Sequence, residues 1–507
     1  MPTLAPLDLA IVAVYVLGMT LIGVWFTRRQ KDLKTYFVGG RDVGWFMVLM
    51  SIVATETSAV TFLSVPGVAY RTPGGNLTYL QLSFGYIVGR CVVAWLLLPL
   101  YMRGDLFSAY EVLRQRFGPA VQRVASGIFL LTRTVADGLR LFLTALLMQY
   151  IGVGVEAAVV LVGVITIVYT YLGGMKAVIW TDLIQFVIKV SGAALAGVFV
   201  LSLLPGGWGR FVEVGEAAGK FTLFDFAHST EPGYPFNFWA GLIGGAVFSM
   251  ASHGADQLMV QRYLCARSLS QARLALVLSG ITVTVQFLLF LLVGVGLFAL
   301  VYDGIFALPP RADGRDWKPD EMFGLFIVTQ LPTGVVGVLV AAVLAAAMST
   351  LSSSLNSSAN ALVTDFYRPL RPGRSERHYV LLSRVMTAVW GVAQMGVAIA
   401  AYQSGSDKSV VEQVLKIAGL TTGLLLGLFI LGRMRTAVSS RAALIGLLAG
   451  FAAVLAVWLP EAAGKPILAW PWFALVGTTA TVAVSLAAHA VLGPSHGPAA
   501  APPDRSP

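Results

Sequence analysis

The chain has 507 residues, of which 57% are hydrophobic and 12% charged, and its mean hydropathy is +0.78. Such a composition excludes a soluble globular protein and reads as an all-α polytopic membrane protein. The formal charge of +10 sits mostly in loops between apolar runs and calls for no nucleic-acid partner, and two cysteines, Cys91 and Cys265, make no disulfide framework.

About 13 segments are long enough to cross a hydrocarbon core of about 30 Å. They lie at roughly 7–27, 43–70, 77–100, 120–150, 154–172, 177–204, 236–260, 274–302, 334–362, 379–402, 410–432, 438–459 and 467–492. The first is no secretory signal, because MPTLAPLD before it lacks a basic residue. Alternate loops carry the cations: Arg28, Arg29, Lys31, Lys34 and Arg41, then Arg103, Arg114 and Arg116, then Arg262, Arg267 and Arg273, with further arginines after spans nine and eleven. The opposite loops are sparse in charge, with Arg71, Lys408 and Lys465. This asymmetry puts the amino terminus outside and the carboxy terminus in the cytoplasm.

Taken in chain order, the second span, MSIVATETSAVTFLSVPG, is interrupted by the polar run Thr55, Glu56, Thr57 and Ser58. The fourth sets Arg133, Asp137, Arg140 and Thr144 on one helical face, where charges normally face a bundle interior. The two arginines can neutralise Asp137 in part, which leaves one guanidinium for a substrate carboxylate or for Glu56. The sixth span carries Asp182, a carboxylate that needs either a cation or a loop arginine as partner. In the seventh, GGAVFSMASHGADQ places Gly254 among Ser249, Ser252, His253, Asp256 and Gln257. The ninth, AAVLAAAMSTLSSSLNSSANALVTD, has no charge before Asp365, yet Ala346, Ser349, Thr350 and Ser353 share one face with Ser352 beside them. Small hydroxylated residues allow close helix packing. They also offer a wall of neutral oxygens suited to an alkali cation.

Four motifs occur together: YFVGGRDVGW, GGMKAVIWTDLIQ, STLSSSLNSSANALVTDFY and TTGLLLGLFILG. In this order they resemble the sodium/solute symporter family, nearest to its iodide, multivitamin and monocarboxylate branch, from about residue 7 to 460. The resemblance implies two inverted five-helix repeats, about 43–204 and 236–432, each opening on a broken helix, inside a single membrane domain (1–492) with a disordered cytoplasmic tail (493–507). Polar interruptions at corresponding positions of two halves mark the ion and substrate site in such folds.

The resemblance further implies a Na+ site formed by the carbonyls of Ala54, Thr57 and Ala346 and the hydroxyls of Ser349 and Thr350. A second sodium would lie at Asp182, Ser349, Ser352 and Ser353. Candidate substrate contacts are Glu56, Thr61, Gln81, Arg133, Asp137, Arg140, Ser249, Ser252 and His253. Thr61 and Ser252 stand where sugar-binding members carry other groups, so the pocket gives a sugar no support. The expected function is sodium-coupled import of a small organic solute, with a carboxylate-bearing one favoured, across the plasma membrane. The alternatives are a proton-coupled symporter using Glu56, Asp182 or Asp256, or a neutral substrate such as a sugar or amino acid. No HExxH or GxSxG pattern occurs in a suitable context, so an enzyme is not expected.

Overall fold

The computed structural model describes residues 4–27, 32–104, 106–231, 234–310, 316–404 and 410–493. Arg28, Arg29, Lys31, Lys408, parts of the turn stretches EPGYPF and LPPRADGRD, and residues 494–507 of the expected tail lie outside these.

Among the described residues the chain is helical, with only an isolated bridge between Val43 and Ala266. The helices used below are α1 (Pro6–Thr27), α2 (Trp45–Glu56), α3 (Ala59–Tyr70), α4 (Gln81–Leu96), α5 (Pro119–Tyr150), α6 (Val155–Leu203), α7 (Gly245–Gly254), α8 (Gln257–Leu264), α9 (Leu269–Tyr302), α10 (Val335–Ala361) and α11 (Glu376–Gln403). Eight helices are long and apolar enough to cross a membrane, nine when α2 and α3, bent by 64°, count as one span. The number 13 is therefore not what length and apolarity give among the described residues.

Part of the difference lies in α6, a 49-residue element in which the two expected spans 154–172 and 177–204 run together. A straight helix of that length would measure about 74 Å, more than twice a hydrocarbon core. Gly174, at φ 57° and ψ −164°, breaks it where a side chain would be strained. The contacts show a fold-back. Tyr169 donates to the Met348 carbonyl at 2.8 Å, and Gln185 donates to the Tyr15 hydroxyl, which itself points at the Met348 sulfur. Residues 169 and 185 would be about 24 Å apart on a straight helix, yet Tyr169 reaches Met348 directly and Gln185 reaches it through Tyr15.

α10 is the central post. Every residue from Leu339 to Ala361 is buried, as expected of a helix apolar or small on all sides. Peripheral helices instead show an apolar outer stripe: Val14, Leu17, Leu21 and Trp25 on α1, and Leu381, Val385, Val389 and Val392 on α11. α4 meets the segment leading into α7 backbone to backbone. A Cβ on Gly85 would lie 2.1 Å from the Gly241 carbonyl, and one on Gly89 would lie 2.3 Å from that of Ala246.

Candidate functional site

The site begins where α2 ends. Thr57 and Ser58 leave the helical region, so the last carbonyls of α2 lose their intrahelical donors. Val53 keeps the Thr57 amide, the last bond of the helix, and the carbonyls beyond it find other donors: Thr55 accepts from the Thr350 hydroxyl at 3.0 Å, and Glu56 from the Ser58 amide. The carbonyls of Ala54 and Thr57 accept from the Lys189 ammonium at 2.6 and 2.9 Å. Lys189, fully buried on α6, also donates to the Ser349 hydroxyl at 3.2 Å. Ser349 in turn donates to Ala54 and, with Thr350, to the Ala346 carbonyl.

Three members of the expected first sodium set, Ala54, Thr57 and Ser349, thus converge on one point, with Thr350 and Ala346 adjoining. The point holds an ammonium. A sodium ion would need the same oxygens, so the residues present do not fit one beside the Lys189 cation.

The second expected set surrounds another cation. Asp182 accepts from the Ser51 hydroxyl at 2.5 Å and lies 3.4 Å from the Arg262 guanidinium. Arg262 also donates to the hydroxyls of Thr55 and Ser353 and to the carbonyls of Ser51 and Leu258. Ser352 donates to the Ser349 carbonyl. The residues present fit no sodium ion beside that guanidinium either. Arg262 is not the loop charge the sequence implies: α8 carries it inward, and it is buried.

Beside these clusters lies a cavity of about 1150 Å³, part of it open solvent, lined by Thr55, Glu56, Thr61, Tyr79, Tyr86, Arg133, Arg140, Phe248, Ser249, Ser252, His253, Asp256 and Thr350 among others. It brings together most of the expected substrate residues. Gln81 and Asp137 are exceptions. Gln81 is spent on backbone ties to Thr78, Phe236 and Asp225, and Asp137 is buried behind Arg140.

The charges form pairs, and the surplus guanidinium that the sequence suggests is absent. Arg133 pairs with Asp256 and lies 3.7 Å from Asp137, Arg140 pairs with Asp137, and Arg90 pairs with Glu56 at 2.6 Å. Arg90, on α4, is the partner that sequence reasoning missed. Of the three guanidinium groups only Arg133 and Arg140 reach the cavity, and the buried Nε of Arg140 has no hydrogen-bond partner among the described residues. His253 lies 3.6 Å from Glu56, with its other ring nitrogen 2.9 Å from the Ser252 hydroxyl.

A family model, the sodium:solute symporter family, matches residues 36–450. The chain belongs to this family. Its relatives include the human sodium/iodide cotransporter, 31% identical over 90% of this chain and 70% of that protein. The sodium/sialic acid symporter NanT of Aliivibrio fischeri is 31% identical over 93% of this chain and 90% of its own. A solved Na+-coupled sialic acid symporter, bound to substrate and open outward, superposes with a TM-score of 0.85 at 27% identity, over 97% of this chain and 99% of that one. These relatives are transporters and not enzymes, and this symporter is an integral membrane protein. Within that family frame, Lys189 and Arg262 are the residues that sequence reasoning missed at the ion positions. Lys189 had a signal: it is the lone cation in an apolar run, two turns beyond Asp182 on the same face.

Proposed function

We propose that this symporter imports a small carboxylate-bearing solute by alternating access, with the solute seated in the cavity between the two broken helices. The observation that carries this reading is Arg140, a guanidinium on the cavity wall whose buried Nε no described residue accepts from. A guanidinium suits a carboxylate through its planar fork of donors. Glu56 does not oppose an anion strongly, because Arg90 already holds its charge. The names of the relatives agree: iodide, sialic acid and monocarboxylates are anions. Sodium coupling comes with the family, but no step is assigned to a sodium ion at the two expected positions, since each holds a cation of the chain's own.

The chain is read as one membrane domain, its repeats at about 43–204 and 236–432, lying in the plasma membrane with the amino terminus outside. The loop arginines other than Arg262 support that orientation. The apolar outer stripes of α1 and α11 support contact with lipid.

The balance of Arg90, Arg133 and Arg140 against Glu56, Asp137 and Asp256 favours a second reading, a neutral solute held by hydroxyls such as Thr61 and Ser252. Thermal unfolding of the purified protein against matched carboxylates and their amides separates the two, because a ligand of the folded state raises the melting midpoint. A carboxylate that stabilises while its amide does not is the expected result. Equal stabilisation by both overturns the anion reading.

A further inference from the structure

We propose that Lys189 is a tethered cation that takes the place of the ion at the first sodium position, so that this position is closed to sodium in the native protein. The geometry supplies what an ion would have needed. An ammonium has three N–H donors, and Lys189 places one on each of Ala54 O, Thr57 O and Ser349 Oγ, at 2.6, 2.9 and 3.2 Å. All the groups are buried. Two of the acceptors are carbonyls freed by the break in the first core helix, at the end of α2 where the helix dipole is negative. Such a terminus stabilises a cation without a carboxylate in contact.

The charge is native to the site. Deleting Lys189 would leave the buried Thr57 carbonyl without a donor among the described residues and the Ala54 carbonyl with Ser349 alone, and a buried carbonyl without a partner is costly. A sodium ion small enough to reach these oxygens would satisfy them in place of the ammonium. Asp182 lies on the same helix but serves Ser51 and Arg262, so it does not draw the ammonium out of the carbonyl cradle. The Ser349 hydroxyl already donates to Ala54, which keeps its lone pairs turned towards Nζ.

Lys189→Ala removes the ammonium and leaves its oxygen acceptors in place. Thermal unfolding in sodium chloride, compared with choline chloride at equal ionic strength, reads the consequence. The expected result is a sodium-dependent rise in the melting midpoint of Lys189→Ala, lost again in Lys189→Ala,Ser349→Ala. A Lys189→Ala protein that melts identically in both salts overturns the proposal. If that variant does not fold, binding of radioactive sodium to the wild type decides alone. Bound sodium that Ser349→Ala releases from the wild type overturns the proposal, and no Ser349-dependent sodium upholds it. The carboxylate melts of the previous section are run without sodium, so failure of the substrate reading and failure of this one are seen separately.

Discussion

The Nη2 nitrogen of Arg90 lies 2.6 Å from both carboxylate oxygens of Glu56, while Nη1 donates to Ser279 on α9 at 2.7 Å. One buried guanidinium thus ties the broken first helix to α4 and α9. Arg90→Gln leaves the Glu56 carboxylate with His253 as its remaining neighbour, and truncating one partner of a buried pair costs about 3–5 kcal/mol. The melting midpoint in detergent should fall accordingly, and Glu56→Gln,Arg90→Gln should recover part of the loss. An Arg90→Gln protein as stable as wild type would show that the pair is not structural.

Arg140 is the site's test of substrate charge. Arg140→Gln should weaken binding of a carboxylate ligand by about 2–5 kcal/mol, the usual cost of truncating a buried charged partner. It should leave a neutral amide ligand unaffected. Calorimetry on wild type and variant, with the carboxylate that gives the largest thermal shift, measures this. Retained carboxylate affinity would leave Arg140 as a partner of Asp137 alone.

Much of this arrangement is legible in the residues. The run Thr55 to Ser58 announces the break, and the chain leaves the helix at Thr57 and Ser58. Ser349 and Thr350 share a face and both reach α2 carbonyls. What sequence does not show is which charges meet. Arg262 is near Arg267 and Arg273 in the chain and looks like a loop cation, but the kink at Ala255–Asp256 starts α8, which turns it inward. Asp256 caps that helix through the Leu258 amide while it holds Arg133 from α5. Such pairings depend on the angle at the break, which composition does not encode.

The pair of Asp182 and Arg262 carries its own expectation. Asp182→Asn keeps the shape of the side chain and removes the charge that opposes a buried guanidinium. The remaining partners, Ser51 O, Leu258 O, Thr55 and Ser353, are neutral. Stability should fall by about 3–5 kcal/mol, with partial recovery in Asp182→Asn,Arg262→Met. If Asp182→Asn unfolds at the wild-type temperature, the neutral oxygens alone suffice for Arg262.

Gly89 tests whether the cavity wall depends on close backbone packing. A Cβ there would lie 2.3 Å from the Ala246 carbonyl and 2.9 Å from the Ser249 Cβ, so α4 and α7 must part to admit it. Overpacking of this kind costs about 1–3 kcal/mol. Ser249 lines the cavity and donates to Tyr86 O, itself on α4, so the displacement should reach the ligand as well. Gly89→Ala is expected to lower both the melting midpoint and carboxylate affinity. Gly127, on α5, supplies the control, because nothing lies within 4 Å of its would-be Cβ. Gly127→Ala should leave binding unchanged and stabilise the helix by about 0.5–1 kcal/mol through lower backbone entropy. Equal behaviour of the two variants would mean that α4 and α7 yield to a methyl group without cost, and that their contact does not set the shape of the cavity.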